Sequence, residues 1–157
     1  MERFKITPAV KGEKVTFSNP GPEFYEAVGG EEGMRKLMYH FYDLIYESDI
    51  HNFFPQDPEA FQEVKEKNTK FFIQRCGGPK LYNEADAGED LDHYMMRFHD
   101  DFSINEKARV EWLGCMREAL KKHEMDEDLK LDFWNYVEAF SKLTVNQFPE
   151  KRPNPWF

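Results

Sequence analysis

Between residues 24 and 144, hydrophobic residues recur at intervals of three and four, and breaks rich in Gly, Pro, Asp and Asn separate the runs. That period predicts amphipathic helices, and no segment alternates in the two-residue period of a strand. A single helical turn is predicted over 24–28, stopped by Gly29-Gly30. The next helix opens with Glu31 and Glu32, acids suited to the positive end of a helix dipole. Its inward stripe is Met34, Leu37, Met38, Phe41 and Ile45, with Tyr42 beside it. Its polar stripe is Lys36, His40, Asp43 and Glu47.

Asp57-Pro58 is a start signal, an N-cap acid followed by proline in the first turn. The stripe that follows is Phe61, Val64, Asn68, Phe71 and Phe72, and Cys76-Gly77-Gly78-Pro79 ends the helix. Residues 80–90 read as a loop and 91–98 as a short helix. Ser103 and Glu106 have the spacing of a capping box, with Ser103 as the cap. The long helix it opens carries Ala108, Trp112, Cys115, Met116 and Ala119, and closes on Lys121, Lys122 and His123. Asp126 can cap a last helix, with the stripe Leu129, Phe133, Tyr136, Val137, Phe140, Leu143 and Thr144. These elements predict an all-α fold with short connections, in which helix packing supplies the core.

The ends break this pattern. Pro8, Gly12, Pro20, Gly21 and Pro22 make residues 1–22 an N-terminal extension, and Pro149, Pro153 and Pro155 make 149–157 a Pro-rich tail. The helical domain is therefore expected over 23–148.

The charge balance narrows the partners. Thirty acidic and 21 basic residues give a net charge of −9. Neither nucleic acid nor an anionic membrane surface suits that sign. No apolar run is long enough to cross a bilayer, and the first residues lack the apolar core of a signal peptide, so a cytoplasmic location is expected. Two cysteines, Cys76 and Cys115, make no disulfide framework, and neither lies in a C-x-x-C-H string that would attach haem covalently. Phenylalanine is abundant, at 15 residues. A Phe-rich core explains that, and so does a core lining a flat apolar ligand.

Five histidines are candidates for a metal. His40 lies on a polar stripe, His123 sits at a basic helix end and His51 in a short connection. His93 and His99 are six residues apart and point to different helix faces. The pattern leaves both open. The corner Asp100-Asp101-Phe102-Ser103 favours His99, since an imidazole there can face inward and bond a carbonyl through its other nitrogen. Asn68 is a polar residue on an apolar stripe, and Tyr42 and Trp112 carry polar handles on or near inward stripes. A few such groups among many Phe and Met describe a mostly apolar pocket with placed donors.

Several ordered strings resemble the group II truncated haemoglobins, two-over-two helical globins. Phe24-Tyr25-Glu26-Ala27-Val28-Gly29-Gly30 is similar to the opening F-x-x-V/I-G-G of that family, and Phe41-Tyr42 to its F-Y pair. Phe54-Pro55 is similar to an aromatic-Pro corner. Phe71-Phe72-Ile73-Gln74 with Gly77-Gly78-Pro79 is similar to F-L-x-Q-x-x-G-G-P. His99, Phe102 and Trp112-Leu113-Gly114-Cys115-Met116 resemble H-x-x-F…W-L-x-C-M.

The resemblance implies a haem b cofactor with His99 as proximal iron ligand. It implies that Tyr42 and Trp112 are distal hydrogen-bond donors, with Asn68 standing where an apolar residue or Gln is more usual. Phe54 and Phe71 would contact the porphyrin, beside Phe102, and Val64 would stand at the distal gate. Lys67 would pair with a propionate. Phe98 stands where an arginine is common, and Arg97 is the candidate to replace it.

Such a site implies binding of dioxygen or another diatomic ligand, for reactive chemistry or sensing rather than bulk transport. The alternative is a redox enzyme, a nitric-oxide dioxygenase or peroxidase-like haem protein, which calls for a reductase or other electron donor as partner. A haem-free helical interaction domain is the third reading.

Overall fold

Two glycines with left-handed backbone, Gly29 at φ 108° and Gly30 at φ 66°, turn the chain from α1 (Pro22–Val28) into α2 (Gly30–Tyr46). The computed structural model describes residues 3–82, 104–146 and 148. α1 starts two residues before its predicted turn, because Pro22 takes the first helical position, where its missing N–H costs nothing. The corner is tight. A Cβ on Gly33 would lie 1.8 Å from the Val28 carbonyl oxygen, so the first turn of α2 packs directly on the backbone of α1.

All five predicted stripe residues of α2, and Tyr42 beside them, are buried. One turn of 3-10 helix (His51–Phe53) leads to α3 (Pro58–Arg75), where the Asp57 carboxylate accepts from the Ala60 N–H at 3.0 Å. α3 ends as predicted: Gly77 takes φ 94°, and the Gly78 N–H returns to the Ile73 carbonyl at 2.9 Å. α4 (Glu106–Lys122) and α5 (Glu127–Lys142) follow, with Asp126 capping α5.

The cap of α4 differs from its prediction. Asn105, not Ser103, is the N-cap, and its side chain accepts from the Ala108 N–H at 2.9 Å. Asn105 has the extended backbone a cap requires, and Glu106 turns instead to Arg109 and to the Ala9 N–H. Leu143, expected on the inward stripe, is 39% exposed, because α5 has ended at Lys142. His123 does more than face a dipole: its Nε2–H donates to the Val28 carbonyl at 2.9 Å, tying the end of α4 to the end of α1. His40, expected in solvent, is half-buried.

Every regular element among the described residues is helical. α2 packs on α3 and on α4, and α5 packs on α4 and α1. The result is two helical pairs, α2–α3 over α4–α5, with the core between them. Phe24 and Phe133 stack with centroids 4.7 Å apart, and Phe72 meets Phe133, Tyr136 and Phe140 edge-on. Aromatic contacts of this kind favour one arrangement over a fluid apolar mass.

Residues ahead of α1 have no periodicity, yet they pack on this core. Phe4 is 4% exposed against Trp134, and Phe17 meets Tyr136 and Phe140 edge-on. Residues 83–90 of the predicted loop over 80–90, the predicted helix over 91–98 and the tail over 149–157 lie outside the described residues.

Candidate functional site

The interior holds a cavity of about 360 Å³ between α3 and the α4–α5 pair, closed on one side by the segment after α2. Its wall is built by local geometry. The 3-10 turn and the extended backbone at Phe54 present Phe53, Phe54 and Pro55. Successive turns of α3 present Val64, Lys67 and Asn68, at helical spacing. α4 presents Ala108, Arg109 and Trp112, and the end of α5 presents Phe140 and Ser141.

Five predicted site residues thus meet on one wall system: Phe54, Val64, Lys67, Asn68 and Trp112. Tyr42 and Phe71 stand one layer behind. Tyr42 is 2% exposed, edge-on to Phe41 at 4.8 Å and to Phe54 at 6.2 Å. It reaches the wall through a hydrogen bond with Asn68. Burial pushes the Tyr42 phenol well above its ordinary range, and the Asn68 bond pulls it part of the way back, as a donated N–H does. Tyr42 therefore stays protonated at any physiological pH.

Phe71 is fully buried against Tyr82 and Phe140, two rings that do reach the cavity. Trp112 is half-buried and edge-on to Phe41, with centroids 5.1 Å apart. Lys67 and Tyr82 also border a second, polar pocket of about 500 Å³ on the outer side of α3, beside Gln62, Glu63, Glu66 and Lys70. His99, Arg97 and Phe102 lie outside the described residues, as does His93.

Sequence reading missed Arg109 and Ser141. Both are buried and both line the cavity. Arg109 bonds Glu106 at 2.7 Å and Glu138 at 3.0 Å, a compensated buried cation. A stripe read by hydrophobicity passes over charged residues, so periodicity carried no signal for it. The same blindness hid Lys65, held by Asp43 at 2.9 Å and lying over the Tyr39 ring at 4.8 Å.

The residues present fit haem. A flat macrocycle needs apolar faces, which the phenylalanines, Pro55, Val64 and Ala108 supply. Its carboxylates need a cation near the polar rim, where Lys67 borders both pockets. The remaining polar side chains are few and placed, the usual make-up of a ligand site. Among the described residues, no helix is long and apolar enough to cross a membrane.

The chain is similar to known proteins over most of its length. Residues 23–146 match the family model described as bacterial-like globin. The chain is similar to the group 2 truncated haemoglobin YjbI of Bacillus subtilis, at 30% identity over 124 residues, 78% of this chain and 88% of that protein. Among solved structures, phosphate-bound Hell's gate globin IV superposes with a TM-score of 0.77 at 30% identity, covering 95% of this chain and 89% of the other. The truncated oxygen-avid haemoglobin from Bacillus subtilis superposes with a TM-score of 0.67 at 27% identity, covering 78% of this chain and 98% of the other.

Proposed function

The chain belongs to the bacterial-like globin family and is a group 2 truncated haemoglobin, and from that premise we propose that its cavity holds haem b and binds dioxygen or another diatomic ligand for reactive chemistry or sensing. One observation carries the reading: an amide and an indole, Asn68 and Trp112, stand among phenylalanines on the wall of one cavity, with the Tyr42 hydroxyl bonded behind the amide. When bound, haem would supply an iron able to take a small ligand such as dioxygen.

The chain's own residues do the rest. His99 would hold the iron in this reading. Phe54 and Val64 would pack on the macrocycle, with Phe71 one layer behind, and Phe102 is the further contact that the family pattern implies. Lys67 neutralises a propionate, and Arg97 is the second candidate for that role. The Trp112 indole N–H, the Tyr42 hydroxyl and the Asn68 amide offer hydrogen bonds to a ligand that carries partial negative charge.

A hydrogen bond to a charged acceptor contributes about 1.5–3 kcal/mol, and each 1.4 kcal/mol is about tenfold in an equilibrium. Two engaged donors therefore slow ligand release by orders of magnitude. Slow release suits chemistry on the ligand, or its detection, better than bulk delivery. The description of one structural relative as oxygen-avid accords with this.

The experiment is oxygen dissociation from the ferrous, haem-loaded protein. Trp112→Phe is expected to accelerate it about tenfold, the equivalent of one charge-assisted bond. An unchanged rate removes Trp112 from the ligand site, and a purified protein that takes up no haem removes the whole reading.

A further inference from the structure

Arg109 of α4 uses all five of its N–H donors inside the protein. Nε–H donates to the Ser141 hydroxyl at 2.9 Å. One terminal nitrogen donates to the Thr7 carbonyl at 2.9 Å and to Glu106 at 2.7 Å. The other donates to the carbonyl and the carboxylate of Glu138, both at 3.0 Å. One of the five acceptors belongs to the irregular segment ahead of α1.

That segment is bound at several further points. The Thr7 hydroxyl donates to Glu138 at 2.9 Å, and the Ala9 N–H donates to Glu106. Nearer the terminus, Arg117 donates to the Phe4 carbonyl at 2.6 Å and the Trp134 indole to the Lys5 carbonyl at 2.9 Å. Three backbone carbonyls, at Phe4, Lys5 and Thr7, thus accept from side chains of α4 and α5. The Phe4 ring closes the contact against Trp134, with centroids 5.5 Å apart.

The physical consequence concerns the cavity. A guanidinium is a rigid fork, and a buried cation that loses an acceptor is costly. If residue 7 leaves, one donor of Arg109 is stranded in the interior, and the fork must turn or admit water. Arg109 and Ser141 line the cavity, so either response reshapes the wall.

We propose that residues 3–10 form a strap that fixes the α4–α5 wall of the cavity through Arg109, making Arg109 a positioning residue for the cofactor. The inference rests on the haem reading for what the wall holds, but the strap itself is a property of the chain alone. With the strap docked, the wall is closed by a satisfied charge network. With it undocked, the wall loosens while the rest of the helical core keeps its packing.

Two measurements test this on the full chain and on a chain lacking residues 1–10. The first is the rate of haem transfer from the holoprotein to excess apomyoglobin. The second is backbone hydrogen exchange in the haem-free protein. Truncation is expected to speed haem transfer at least tenfold. It is also expected to raise exchange in 104–112 and 138–144 at least tenfold, with 30–46 unchanged within twofold.

Transfer and exchange both within twofold of the full chain overturn the proposal. So does a rise in exchange that is equal in all three segments, which marks a general loss of stability. Should the truncated chain fail to fold by far-ultraviolet circular dichroism, Thr7→Val and Trp134→Phe decide. Each removes one donor of the strap contact, and a threefold rise in the same two readouts is expected, against none if the proposal is wrong. Failure of the full chain to take up haem sinks the cofactor reading, and the exchange pattern then judges the strap by itself.

Discussion

Asn68 of α3 hydrogen-bonds the hydroxyl of Tyr42 of α2, and of the two only Asn68 reaches the cavity wall. Asn68 is half-buried and Tyr42 fully buried, so the bond satisfies a phenol that has no access to water. A polar residue on an otherwise apolar stripe is thereby paired with a buried phenol.

Asn68→Leu is expected to destabilise the haem-free chain by about 1–3 kcal/mol, the cost of leaving one buried polar group without its partner. Urea unfolding measures it. The double variant with Tyr42→Phe is expected to recover part of that loss, because no buried hydroxyl is then left unpaired. Equal, additive losses would show that the bond contributes nothing.

The corner between α1 and α2 makes a second prediction. Gly33→Ala places a methyl against the Val28 carbonyl and is expected to cost about 1–3 kcal/mol or more as α2 moves away from α1. Gly114→Ala is the opposite case. Gly114 is exposed in the middle of α4, nothing stands within 4 Å of an added Cβ, and a gain of about 0.5–1 kcal/mol is expected from helix propensity. Urea midpoints of the two variants should move in opposite directions.

Cys115 carries a pH dependence. Burial pushes its thiol up to about 11, the charge of Glu111 adds to the rise, and a hydrogen bond with Ser48 offsets part of it. The folded chain holds this proton more tightly than the unfolded chain, whose thiol keeps its ordinary value of 9.0. The linked stability is therefore intact below pH 9 and lost as the pH climbs towards 11. Cys115→Ala should flatten that part of the alkaline decline. Iodoacetamide should react slowly at pH 8, where roughly one thiol in a thousand is ionised. Rapid labelling there would show that the thiol is neither buried nor shifted.

His99→Gly tests the iron-ligand role proposed for His99 from its resemblance to the family pattern. Haem retention is expected to collapse, and added imidazole is expected to restore the Soret band by filling the vacated position. A variant that keeps its pigment without imidazole would move the ligand role to another side chain.

Much of the fold was legible because its signals are local. The stripes of α2 and α5, the Asp57 and Asp126 caps and the Gly77 terminus depend on residues within a few positions of one another. That Phe54, Val64, Lys67, Asn68 and Trp112 share one cavity was legible too, since an ordered motif match carries spatial information that no single residue holds. The cap of α4 was misplaced by two residues because Ser103 and Asn105 offer equal local chemistry. Contacts far away in sequence broke that tie: Glu106 is engaged by Ala9 and Arg109 rather than by the cap.

The sequence by itself determined an all-helical chain with a Phe-lined interior, because helical period, capping and glycine corners are short-range properties. Only the tertiary structure decided that Arg109 lies inside, that Tyr42 stands behind Asn68, and that residues 3–10 are bound to α4 and α5. The reason is physical. A buried charge and an irregular segment have no periodicity to read, and their places are fixed by hydrogen-bond partners 102 and 129 residues away along the chain.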